Sequence, residues 1–290
     1  MSDPTPDEVV RLAQQRIAAR PSAAPALPSE ARVEQPWRWM FIGLFGVLLA
    51  ALVFWPGAPL DWKLYAVVHG VCAQQHNITL GGAQFPICAR NSGIYMSFLL
   101  TLGYLYAIGR GRAGGLPPWH LNAALVAFVV IMGVDGFNSL AVDLGQPHLY
   151  PPDNLLRTLT GMGLGVAIGV MLHLVLNKTL RKDVDDHQPI LKHWWELLGI
   201  LGLNALVLVA IYGNLSFMYW PLAFTAFFGI TGVLYLVSLL LTSLVMGYEG
   251  RVTRLRQLAR PAAVAFIPTL LILGLMAWLR FWLEGQGLMI

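Results

Sequence analysis

The chain has 290 residues, of which 57% are hydrophobic and 12% charged, where soluble globular chains average about 45–50% and about 25%. Mean hydropathy is +0.62. With ten Trp, only two Cys and no Gly or Pro period, collagen-like, disordered and disulfide-framework classes are excluded together with water-soluble folds.

Residues 1–36 read as a tail. Thr5-Pro6-Asp7-Glu8 resembles a capping box, and Val9, Leu12, Ala13 and Ile17 follow on one helical stripe. The expectation is a short cytoplasmic helix, free or docked on a partner, followed by a stiff Pro/Ala linker from Pro21 to Pro28. The first span then serves as a signal anchor, not as a cleaved signal.

Residues 37–284 read as the membrane domain. A span needs about 20 apolar residues, and seven stretches qualify: Trp37–Trp55, Ser92–Ile108, His120–Val142, Asn154–Leu176, Trp194–Tyr212, Tyr219–Met246 and Pro261–Phe281. Helices are expected because each span must satisfy its own backbone polar groups. Runs such as Leu44–Leu52 show no strict alternation, so a barrel has no support. The fold class is an all-α integral membrane protein, a bundle of about seven helices. With the N-terminus cytoplasmic and the C-terminus extracytoplasmic, 15 of the 19 Lys and Arg lie on the inner side, as the positive-inside rule requires. The basic pI of 9.2 therefore reflects topology and lipid contact, with no nucleic-acid partner.

The first outer segment, Pro56 to Asn91, is long and apolar, which suggests function. Asp61 is placed to cap a short helix with Trp62, Tyr65, Val68 and Val71 on its apolar face, lying on the outer membrane surface. Gly81-Gly82 marks a turn. The second outer segment carries Asp135, Asn138, Asp143, His148, Asn154 and Arg157. Asp135 lies within the third span and Arg157 one turn into the fourth. Ionisable residues in spans usually face the interior in pairs, and Asp135 with Arg157 is the expected pair, serving either function or helix association. Thr160-Gly161-Met162-Gly163-Leu164-Gly165, with Gly169, gives the fourth span a small face for close helix approach. Glu196 and His193 snorkel at the inner interface, Asn204 bonds a neighbouring helix, and Arg280 with Glu284 forms an i, i+4 anchor.

Cys72 and Cys88 both fall in the outer segment, where a disulfide is permitted. A metal site from Cys72, His76 and Cys88, completed by His148 or Asp135, is the alternative, since Cys72 and His76 are spaced i, i+4. A catalytic thiol would need an electropositive neighbour, and Arg90 is the candidate. No phosphate loop, dinucleotide fingerprint, nucleophile elbow or HExxH motif is present.

Cys88-Ala89-Arg90-Asn91-Ser92-Gly93-Ile94-Tyr95, with Cys72 upstream, resembles the bacterial and archaeal membrane family catalogued as domain of unknown function 2085. Asp135-Gly136 and Asn154-x-x-Arg157-x-x-Thr160-Gly161 look like its second motif, and the resemblance covers about residues 63–176. It implies a multi-pass fold in which these motifs form a shared feature, and supplies no activity. Family members often carry His after the first Cys and a further Cys near the matched Arg; here Ala73 and Asn91 stand there. If the family's residues ligate a metal, two ligands are lost and His76 restores at most one, which favours the disulfide. Spans between 194 and 281 lie outside the resemblance.

Three functional readings follow. The first is a binding, transport-associated or complex-subunit protein of a prokaryotic plasma membrane, with lipid and membrane-protein partners. Its outer pocket is built from Cys88, Arg90, Tyr95, Asp135, Asn138, Asn154 and Arg157. The second is an intramembrane enzyme on a lipid-linked or anionic substrate, with Arg90 and Arg157 as clamp and Asp135 as general base. The third is thiol redox or metal handling through Cys72 and Cys88. No cofactor is expected beyond a metal ion in that third reading.

Overall fold

The computed structural model describes residues 31–71 and 76–287. The tail helix, the linker and Cys72 lie outside the described residues. Eight α-helices are found among those described: α1 (Ala31–Phe54), α2 (Leu60–Val68), α3 (Ala89–Ala107), α4 (Trp119–Asp143), α5 (Asn154–Leu180), α6 (Trp194–Tyr212), α7 (Tyr219–Val245) and α8 (Ala259–Gly285). Apart from the short α2, these helices fall on the seven stretches expected as spans. By length and composition alone six can cross a membrane. The exception is α3, which opens on Arg90-Asn91-Ser92 and lowers its hydropathy accordingly. Burial explains why this is tolerated: α3 sits at the centre, packed against α5, α6 and α7, so its polar groups meet protein instead of lipid.

The α3–α5 crossing is the tightest in the bundle. A Cβ on Gly161 would overlap the Arg90 carbonyl, one on Gly165 the Ile94 carbonyl, and one on Gly93 the Thr158 carbonyl. Small residues let two backbones approach until van der Waals contact replaces a side-chain layer. Hydroxyls bridge the gap, with Ser97 Oγ donating to the Met162 carbonyl at 2.8 Å and Thr158 Oγ1 to the Ala89 carbonyl at 3.3 Å. The expected small face of the fourth span is therefore a contact surface for the second.

Between α2 and α3 the chain forms a hairpin, β1 (Asn77–Leu80) and β2 (Ala83–Cys88), antiparallel with Leu80 opposite Ala83. Gly81 and Gly82 both have positive φ, +60° and +82°. A two-residue loop with two left-handed residues matches the twist of antiparallel strands, which glycine allows without strain. Ile78, Leu80, Phe85 and Ile87 are all buried, so the hairpin plugs one end of the bundle. Gly81 N–H donates to Asn214 Oδ1 at 2.9 Å, and Tyr219 Oη to the Gln84 carbonyl at 3.0 Å. Asp61 does not cap α2: the helix begins at Leu60 after Pro59 with no side-chain cap. The proline fixes φ at −68° and so sets the start itself. The buried face is Leu64 and Val68, whereas Trp62 is about half exposed and stacks near Phe281. The short helix thus packs into the bundle core beside the hairpin.

Near the hairpin end, His69 is buried and donates from Nε2 to Glu284 Oε2 at 2.8 Å, while Arg280 Nε donates to Glu284 Oε1 at 2.7 Å. Glu284 therefore ties α8 to the segment after α2 through His69, beyond the i, i+4 pairing with Arg280 that was expected. At the opposite end Glu196 forms an ion pair with Arg110 and accepts from Lys192 N–H at 2.6 Å, where snorkelling was expected. Asn204 Nδ2 bonds within its own helix, to the Ile200 carbonyl at 2.9 Å, where a bond to a neighbouring helix was expected. A short parallel pair, β3 (Ala113–Gly115) with β4 (Asp185–Pro189), closes that end.

Substituting Gly165→Ala is expected to lower stability by about 1–3 kcal/mol through overpacking. Gly133→Ala on α4, where a Cβ meets nothing within 4 Å, is expected to be neutral or slightly stabilising. Melting temperatures of the purified variants in one detergent check the contrast.

Candidate functional site

The glycine crossing dictates which polar groups meet. Arg90 is the second residue of α3 and Arg157 lies one turn into α5, so bringing the Arg90 carbonyl against Gly161 places two guanidinium side chains at the same end of the bundle. Helix α4 supplies the counter-charge, with Asp135, Asn138 and Ser139 on its buried face.

Asp135 is 1% exposed and is paired with Arg90. Arg90 Nη2 and Nε donate to Asp135 Oδ2 at 2.7 and 3.2 Å, and Nη2 also reaches the Asp135 carbonyl at 3.2 Å. Thr160 Oγ1 donates to Oδ2 at 3.1 Å and Tyr150 Oη to Oδ1 at 3.0 Å. The carboxylate is thus held by one cation and two hydroxyls, which is how a buried charge is made tolerable. Tyr150 lies in the loop between α4 and α5; burial, and its donation to Asp135, push its phenol above the ordinary range and keep it a donor.

The expected Asp135–Arg157 pairing is replaced by this one. Arg157 is 4% exposed, yet its hydrogen bonds are long: Nη1 to Asn154 Oδ1 at 3.3 Å and Nε to Ser139 Oγ at 3.4 Å. Its Nη2 is buried with no hydrogen-bond partner among the described residues. Ser139 Oγ is shared, since it also accepts from Arg90 Nη2 at 2.7 Å. The buried layer therefore carries two guanidiniums and one carboxylate. Asp143 and Cys88 are further groups near enough to act on Arg157 through space. Asp143 is exposed at the rim, 3.4 Å from His76 Nε2.

The other expected residues divide. Asn154 belongs to the site and also ties it to the hairpin, donating to the Asn77 carbonyl at 3.3 Å. Asn138 is a loop clamp: its Oδ1 accepts from Leu149 N–H at 2.7 Å and its Nδ2 donates to the Tyr150 carbonyl at 2.9 Å. It holds Tyr150 over Asp135 and acts on the site through that residue. Cys88 is half-buried at the N-cap position of α3, opposite Asn77. Tyr95 packs against the hairpin-side core, and its carbonyl faces Gly229 of α7. His148 is exposed in the loop. Among the described residues no group of three or more His, Cys, Asp and Glu is placed to hold a metal ion; the Cys72–Cys88 disulfide and the Cys72, His76, Cys88 set involve a residue outside those described.

Ser139, Tyr150 and Thr160 are additional members of the site. Ser139 had one legible signal: it stands four residues after Asp135, on the same helix face.

Residues 72–171 match the model of the family described as a predicted membrane protein, DUF2085. That stretch is what the chain shares with the family. It runs from Cys72 through the hairpin, α3 and α4 into α5, and so contains every residue of the polar cluster. Helices α6 to α8 lie beyond it. No curated protein and no solved structure matches the chain.

Arg90→Met would strand the Asp135 charge in the interior, with an expected cost of about 3 kcal/mol. Asp135→Leu should cost less, because the Arg90 side chain is 21% exposed and can turn toward water. The double variant should recover part of the loss, giving a favourable coupling energy in a double-mutant cycle read by denaturant titration.

Proposed function

We propose that this chain is a non-enzymatic binding component of a prokaryotic plasma membrane, transport-associated or a complex subunit, whose family-matching stretch receives a small anionic group at the outer side. The reading rests on one observation: Arg157 is buried with Nη2 unpartnered among the described residues and with only long hydrogen bonds elsewhere. A buried donor without a partner costs about 1–3 kcal/mol, and more when charged. An anion would remove that cost, and a guanidinium presents planar, paired donors suited to carboxylate or phosphate. The part-exposed Arg90 marks the way in, and Asp135 holds Arg90 in place.

Enzyme chemistry through Asp135 has less support. Both of its oxygens already accept from Arg90, Tyr150 and Thr160, so neither is turned toward a substrate. The outer-side assignment follows from the distribution of Lys and Arg.

Inorganic phosphate or acetate should raise the melting temperature of the purified full chain; a ligand at about 100 times its Kd stabilises by about 2.7 kcal/mol. Arg157→Met should abolish that shift while leaving the ligand-free protein as stable as before, because it removes an unsatisfied charge. An anion shift that survives Arg157→Met would overturn the reading.

On the same reading Cys72 and Cys88 form a disulfide outside the cytoplasm. In intact cells a membrane-impermeant maleimide should label them only after reduction. Labelling without reductant would remove the disulfide, and labelling only in lysed cells would place this end in the cytoplasm.

A further inference from the structure

Helix α1 has no fully buried residue between Gln35 and Phe54 and carries a half-buried stripe of Phe41, Leu44, Leu48 and Leu52. At one end Phe41 stacks on Phe266 at 5.5 Å and meets Tyr235 at 6.5 Å. At the other end α1 turns into α2. Between α1, α7 and α8 lies a cavity of about 430 Å³ lined by residues such as Phe45, Leu48, Leu52, Thr231 and Leu270. Its walls carry no available polar group. The hydroxyls of Thr231, Tyr235 and Thr269 each donate to a backbone carbonyl, those of Phe227, Ala262 and Ala265 at 2.9, 2.9 and 2.7 Å.

The cavity has a definite depth and a definite mouth. From Phe41 to Leu52 it follows about 16 Å of helix at about 1.5 Å per residue, close to half of a hydrocarbon core of about 30 Å. That is about the length available to an acyl chain within one leaflet. At the hairpin end it continues into a second hollow that shares Ala51, Leu52 and Val67 with it and adds Trp55, Trp62 and Lys63. Tryptophans mark the membrane interface. The Lys63 ammonium sits there, donating to the Val53 carbonyl at 3.1 Å and retaining two donors.

We propose that this groove seats one acyl chain of an anionic phospholipid, with the lipid's phosphate at Lys63. The apolar wall selects a hydrocarbon chain, the depth matches a lipid anchored in the leaflet at the hairpin end, and the single cation at an aromatic mouth selects negative charge. The site is separate from the arginine pair of the family-matching stretch: it is built from α1, α2, α7 and α8, all of which lie outside residues 72–171.

The test is native mass spectrometry of the purified full chain with phosphatidylglycerol or phosphatidylcholine of identical acyl chains. One phosphatidylglycerol per chain should be retained at about fivefold lower lipid concentration than phosphatidylcholine, the preference one interfacial lysine confers. Lys63→Gln should bring the two lipids to parity. Leu48→Trp and Thr231→Phe, which fill the groove, should each lose retention of both; a melting curve identifies any variant that does not fold, and the other then gives the result. Equal retention of the two lipids by the unaltered chain would overturn the proposal. So would undiminished phosphatidylglycerol binding by a folded, groove-filled variant.

Discussion

The contact on which the rest of the molecule depends is the backbone-to-backbone crossing of α3 and α5. Within a bilayer, hydrophobicity gives helices little reason to associate, because lipid tails are as apolar as leucine. Gly93, Gly161 and Gly165 replace that missing drive with close approach. Ser97 and Thr158 add hydrogen bonds across the join. The same approach fixes the electrostatics, because Arg90 and Arg157 must then occupy one layer. Asp135 on α4 offsets one of the two charges, and Ser139 is shared between both guanidiniums. The polarity of the site is thus a consequence of how tightly two helices pack.

The second organising feature is the hairpin. It closes the end of the bundle where the charged layer lies, and its hydrogen bonds run to α5 through Asn154 and to the α6–α7 turn through Asn214 and Tyr219. The loop before α5 does related work, since Asn138 holds its backbone while Tyr150 reaches back to Asp135. Few of these groups touch solvent, so the cluster is rigid by satisfaction, with Arg157 as the exception.

The spans were legible because hydrophobic length and charge steps are one-dimensional signals. The Gly81-Gly82 turn was legible because two left-handed residues leave a chemical trace. The residues around the arginines were legible as a set, but their partners were not. Sequence gives the depth of Asp135 in its helix and says nothing about which neighbour that face meets; Arg90, at the mouth of the least apolar long helix, proved nearer than Arg157. The hairpin strands carried a faint period-two trace in Ile78, Leu80, Phe85 and Ile87. Runs of four to six residues are too short for that trace to outweigh other readings.

The hairpin's burial also bears on how the later helices are joined to the stretch that matches the family model. Phe85 meets the Tyr219 ring edge-on at 5.7 Å, and the core around it draws on α6 and α7. A protein trimmed to the family stretch would bare that apolar flank. Such a minimal version would have to recruit a substitute cover or rewrite the strand residues with polar ones, so the later helices serve as the hairpin's apolar cover.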